Sequence, residues 1–160
     1  HVNFSTTHLA NKTKKVANAP LEKTEKTIAV LGCSFTYGYG VNNDENFVSL
    51  LQKEYADHQF ENHGVIGYGT VQSYLQLKKI LRRETKPRVV VLNFAVDHLQ
   101  RNALTNQYRR ALKIGFNRSY SSAKELMKSA KFPYLKNEEG LLIGHVSWNE
   151  LYQDWKGRST

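Results

Sequence analysis

Residues Thr27–Val41 read TIAVLGCSFTYGYGV, and this stretch decides the fold. Its first six residues form a short, unbroken apolar run, the pattern of a strand in a parallel sheet covered on both faces. The run ends in Gly32, Cys33 and Ser34, and Gly38 and Gly40 follow at once. Open α/β sheets gather ligand and catalytic groups at the carboxyl ends of their strands. Ser34 occupies that position.

The pattern repeats downstream. ENFVSLLQKEYADH places Phe47, Leu50, Leu51 and Tyr55 on one helical face, with Asn43 or Asp44 as candidate cap. A short segment, QFENHGVIGYG, then ends again in glycines, and Thr70 is placed to cap a helix over TVQSYLQLKKILRRE. Val71, Tyr74, Leu75, Lys78 and Leu81 share a face of that helix, which Pro87 stops. RVVVLNFAV, residues 88–96, carries the strongest strand signal in the chain. Alternating strands and helices predict parallel crossovers in an open α/β sheet.

On either side of this unit the pattern changes. Residues 1–26 are polar, rich in Lys, Thr and Asn, and read as an extended lead-in to a domain spanning 27–160. After Asp97, NALTNQYRRALK and SSAKELMKSAK suggest helices in an insertion at about 103–131. FPYLKNEEGLLIGHV reads as a hairpin turning at 137–140. Ser147 and Glu150 form a capping box for a helix that carries Trp148, Leu151, Tyr152 and Trp155 on one face. Only three parallel strands are supplied, whereas doubly wound sheets usually have about five or six, so a further C-terminal segment is expected.

Composition narrows the function. The 160 residues, 40 % of them apolar, suit one globular domain with a real core. No stretch approaches the roughly 20 consecutive apolar residues that a membrane-spanning helix needs. The single cysteine, Cys33, rules out an intramolecular disulfide framework and is compatible with a cytoplasmic or a periplasmic location. No metal-binding spacing is present and no cofactor is indicated. The formal charge of +9 invites an anionic partner, but the basic residues are dispersed and no aromatic platform accompanies them. The charge therefore reads as a solvated surface, with no specific nucleic-acid partner.

Three blocks carry a resemblance. VLGCSFTYGYGV resembles the first block of the SGNH (GDSL-like) hydrolases, NHGVIGYGTVQSY is similar to their second, and VVVLNFAVDHLQRN to their third. About 30 residues separate successive blocks, enough for one strand-helix crossover each. The resemblance implies a flavodoxin-like (SGNH-type) three-layer sandwich around a central parallel sheet, and a serine hydrolase of lipid, acyl or O-acetylated carbohydrate esters. It implies that Ser34 is the nucleophile and an oxyanion donor, that Gly67 is a second donor, and that Asp97 belongs to the third loop of the site. Two departures stand out. The family's Asn before that Asp is Val96 here, with Asn93 three positions earlier, and no Asp-x-x-His follows.

A serine hydroxyl without a base is a poor nucleophile. His98 and His145 are the local candidates, but the family pattern expects the base beyond Thr160, so these 160 residues alone are expected to be inactive. Two other readings remain open. One is a flavodoxin-like module holding a phosphate or nucleotide in the CSFTYGYG loop, although that loop lacks the lysine of a P-loop. The other is a degenerate SGNH fold that binds without catalysis.

Overall fold

The computed structural model describes residues 14, 16, 17, 26–118, 121–137 and 141–151. The chain divides into two compact units, His1–Ala95 and Val96–Thr160. The first is an α/β layer structure, with elements in the order β1 (Thr27–Gly32), α1 (Ser34–Tyr37), α2 (Phe47–Glu54), β2 (Gln59–Gly64), α3 (Thr70–Ile80) and β3 (Val89–Leu92). The three strands are parallel and lie in the order β2-β1-β3. That is the order in which a flavodoxin-like sheet begins, with its ligand crevice at the switch point between β1 and β3.

Continuous apolarity makes β1 the central strand, and alternation along it feeds two cores. Val30 packs with Val48 of α2 and Phe60 of β2, whereas Ala29 and Leu31 pack with Ile80 and Leu77 of α3. The helices therefore lie on opposite faces of the sheet, which gives three layers. Val16 joins the first of these cores, and Lys14 pairs through its main chain with Asn62. Two residues of the polar lead-in are thus packed against the sheet.

Both helices are rotated from the face that apolar spacing predicts, although Phe47, Leu51 and Val71 of those faces still pack inward. In α2 the buried residues are Val48, Ser49 and Gln52, while Leu50 and Tyr55 are exposed. Polar partners explain the rotation. Gln52 donates to His58 O at 2.8 Å and accepts from the Phe60 N–H at 2.9 Å, so its amide closes the α2–β2 connection. The cap is neither Asn43 nor Asp44 but Asn46, whose Oδ1 accepts from the Ser49 N–H at 3.2 Å. In α3, Val71, Ser73 and Ile80 are buried, while Tyr74, Lys78 and Leu81 face solvent. Gly69 is the cap there, with its N–H donating to Gln72 Oε1 at 3.0 Å, and Thr70 is the first helical residue. The helix ends at Ile80, well before Pro87, and the third strand occupies only four of the nine residues that the apolar run suggests.

The second unit contains α4 (Asp97–Asn102), α5 (Asn106–Arg118), α6 (Ser121–Ser129) and an antiparallel hairpin of β4 (Lys131–Asn137) and β5 (Leu141–Ser147). Leu104, Trp148 and Leu151 form its core, and Trp148 stacks on Phe116 with ring centroids 4.3 Å apart. The Ser147–Glu150 capping box is present. The Ser147 N–H donates to Glu150 Oε2 at 2.7 Å, and the Glu150 N–H donates back to Ser147 Oγ at 3.3 Å. The hairpin turn at 138–140 and the helix positions Tyr152 and Trp155 lie outside the described residues.

Candidate active site

Ser34 opens α1, a single turn that follows β1 without a loop, and Cys33 is its cap. So short a helix cannot satisfy its own carbonyls, and its last ones need partners from elsewhere. The turn closes through the Gly38 N–H to Phe35 O at 3.1 Å and the Tyr39 N–H to Ser34 O at 2.9 Å, with Gly38 left-handed at φ +74°. This is the glycine-terminated finish that lets a helix end abruptly. Cys33 and Thr36 are buried, Ser34 is half-buried, and Phe35 and Tyr39, which follow it, stand 65 % and 73 % exposed.

The turn lies directly against the sheet. A Cβ on Gly64 would fall on Tyr37 N and 2.6 Å from Thr36 C, and a Cβ on Gly32 would collide with Thr36 Oγ1. Two strand-end glycines, paired in register, therefore admit the turn at backbone distance. Beneath it is a set of buried polar groups. Asn62 Nδ2 donates to Thr36 O at 2.7 Å, and Asn62 Oδ1 accepts from the Gly64 N–H at 3.0 Å. Asn46 Oδ1 lies 3.4 Å from the same Nδ2, and Ser49 Oγ is 3.1 Å from Asn46 Nδ2. Neither Asn46 nor Asn62 belongs to an apolar pattern, so hydrophobic periodicity gives no hint of either.

Gly67 follows β2 by three residues and is left-handed at φ +83°. Its loop continues from the strand end paired with Gly32, where the Val65 N–H donates to Gly32 O at 3.0 Å. On the other side of β1, the Asn93 N–H donates to Leu31 O at 2.8 Å, and Asn93 O lies 3.1 Å from a Cβ placed on Gly32. Ser34, Gly67 and Asn93 thus come from three loops at the carboxyl ends of one sheet. Within this unit, among the described residues, no side chain hydrogen-bonds Ser34 Oγ.

Asp97 belongs to the second unit, where it begins α4 as an exposed carboxylate 3.7 Å from Arg101 Nη2. An i,i+4 pair of that length with one partner exposed is a weak one. His98, next to it, is buried, and burial together with Arg101 pushes its pKa below the ordinary value. His145 lies exposed on β5. Among the described residues, no group of three or more His, Cys, Asp or Glu side chains could hold a metal ion, and no helix is long and apolar enough to cross a membrane.

A second titratable group lies on the α3 side of β2. His63 Nε2 is 2.7 Å from Glu61 Oε2, and Arg83 Nη1 donates to the same oxygen at 3.0 Å. The hydrogen bond to His63, helped by Arg83 and opposed by burial, holds the Glu61 carboxyl below its ordinary pKa.

No family model matches the chain, and no curated protein does. Among solved structures it is similar to the crystal structure of AlinE4, described as an SGNH-hydrolase family esterase, with 20 % identity and a TM-score of 0.44. Two mutants of that esterase match equally, with TM-scores of 0.44 and 0.43. The likeness covers 60 % of this chain and 53 % of theirs, so the chain spans about half the length of the solved structures it matches.

Proposed function

We propose that this chain carries the nucleophile half of an ester-hydrolase site, with Ser34 attacking the carbonyl of a small-molecule or glycan ester. The observation that carries the reading is the placement of Ser34. It is a half-buried hydroxyl on a one-turn helix at the carboxyl end of the central strand, fixed from behind by Gly32, Gly64 and Asn62. Acyl transfer needs such a nucleophile beside backbone or amide donors that stabilise the developing oxyanion. In this reading the N–H groups of Ser34 and Gly67 are those donors. Asn93, brought to the same strand ends by the β1–β3 register, lies three positions too early to replace the family's asparagine directly. Asp97, the first residue of α4, is given a structural rather than a catalytic part.

The serine needs a base to lose its proton, and none of the first unit's described side chains hydrogen-bonds Ser34 Oγ. Added imidazole is a direct test. Fluorophosphonate is expected to modify Ser34 slowly, and faster as imidazole is raised, as read by peptide mass spectrometry, with Ser34→Ala unlabelled. Hydrolysis of p-nitrophenyl acetate without imidazole is expected to stay at the buffer rate. No adduct on Ser34 at any imidazole concentration would overturn the reading, whereas an added flavin absorbance or a phosphate-dependent thermal shift would favour a binding module.

A further inference from the structure

Lys14 lies in the polar segment ahead of the first strand, yet it is 1 % exposed. Its ammonium donates to Gly38 O at 3.3 Å and sits 4.6 Å from the centroid of the Tyr37 ring. Its main-chain N–H donates to Asn62 O at 3.1 Å. Among the described residues it makes no ion pair. A buried ammonium is costly unless its hydrogens find acceptors, and here the acceptors are a carbonyl and an aromatic face of the same four-residue turn.

The carbonyls of that turn explain why a lysine is held there. A one-turn helix leaves its carbonyls open. Thr36 O is taken by Asn62 and Gly38 O by Lys14, and Lys14 is itself tied to Asn62 through the main chain. The segment is anchored a second time three residues on, where the Ala17 N–H donates to Ser49 Oγ at 3.1 Å and Val16 enters the core. The same Ser49 bonds Asn46, which borders Asn62. Lys14 and Ala17 thus close a ring of buried and half-buried hydrogen bonds around the back of the turn.

We infer that Lys14 is a positioning residue for the nucleophile, holding the Ser34–Gly38 turn closed by binding its final carbonyl from a segment outside the three sequence blocks of the site. The inference rests on the reading of Ser34 as nucleophile. The coupling runs through Gly38. Gly38 O and the Tyr39 N–H belong to one peptide plane, and without the ammonium that oxygen keeps only its longer bond from the Val41 N–H at 3.4 Å among the described residues, so the plane can turn about the glycine ψ. The Tyr39 N–H bond to Ser34 O then loosens, and Ser34 loses a fixed direction toward the substrate.

The test uses Lys14→Met, which keeps the apolar stem and removes the ammonium, and Lys14→Arg, which keeps a donor. Fluorophosphonate labelling of Ser34 with imidazole present is resolved into a half-saturating concentration and a maximal rate. Lys14→Met is expected to lower the maximal rate by about tenfold or more at unchanged half-saturation, with Lys14→Arg recovering most of it. Amide hydrogen exchange provides the second arm. Tyr37, Gly38 and Tyr39 should lose protection in Lys14→Met while the β1 amides keep theirs, and Lys26→Met, which removes an exposed lysine paired with Asp57, should move neither measurement. Unchanged labelling and exchange in Lys14→Met would overturn the inference, as would equal loss of protection in β1 or an Arg variant as slow as the Met variant. If the unaltered chain is not labelled at all, the esterase reading fails and the exchange arm alone decides the role of Lys14.

Discussion

On one side of β1 lies β2, QFENHG, whose Asn62, His63 and Gly64 are buried. On the other lies β3, VVVL, whose four residues are 37–47 % exposed. The polar strand is inside and the apolar strand is outside. In β2 burial accompanies what the strand holds in place, since Asn62 bonds Thr36 O and the Gly64 N–H. β2 is covered by the Ser34–Tyr37 turn and by α2, and its Asn62 side chain bonds the main chain of that turn, which has too few internal partners. Among the described residues both flanking strands pair with β1 alone within the sheet, but β2 is bridged on its far side by Lys14, and β3 has no such bridge.

The sharpest way to break this contrast is Gly64→Ala. The new methyl group would meet the backbone of Tyr37 and Thr36, which cannot yield as a side-chain tip can. A loss of about 3 kcal/mol is expected from urea unfolding. Next in size is Asn62→Ala. It strands Thr36 O and the Gly64 N–H in a buried place, and a loss of about 2 kcal/mol is expected, together with slower labelling of Ser34.

A smaller effect should appear with pH. The Glu61 carboxyl has a folded pKa below its unfolded value, so its contribution is complete above the unfolded pKa and is lost as pH falls through the folded one. The urea midpoint should therefore drop on acidification below the ordinary glutamate range, and Glu61→Gln should flatten that drop. The smallest effect belongs to β3. Val91→Thr on that exposed strand is expected to change stability by about 0.5 kcal/mol or less in thermal unfolding. A cost comparable with that of Asn62→Ala would mean that β3 is covered in solution and that the contrast with β2 is false.

The legible parts of the fold are those in which residue type and environment agree. The unbroken run of β1, the hairpin and the Ser147–Glu150 box all follow from local pattern, and so does the place of Ser34 at a strand end. The helix faces do not, because α2 turns Ser49 and Gln52 inward to bond with residues 46, 58 and 60, and apolar spacing carries no trace of such bonds. The support of the site was hidden for the same reason. Asn62 and Lys14 bind carbonyl oxygens, which every residue possesses, so nothing in the sequence of the turn announces its partners.

The paired glycines Gly32 and Gly64 have a consequence for how the molecule can vary. They bring one helical turn and one strand end so close that the position of Ser34 is dictated by the spacing of two sheet strands, not by the length of the loop that follows. A Cβ on Gly40 would meet nothing within 4 Å. The stretch from Asn42 to Asp44, beyond the bonds that Tyr39 and Val41 make to the turn, can therefore change its surface chemistry while the hydroxyl stays where the sheet has put it.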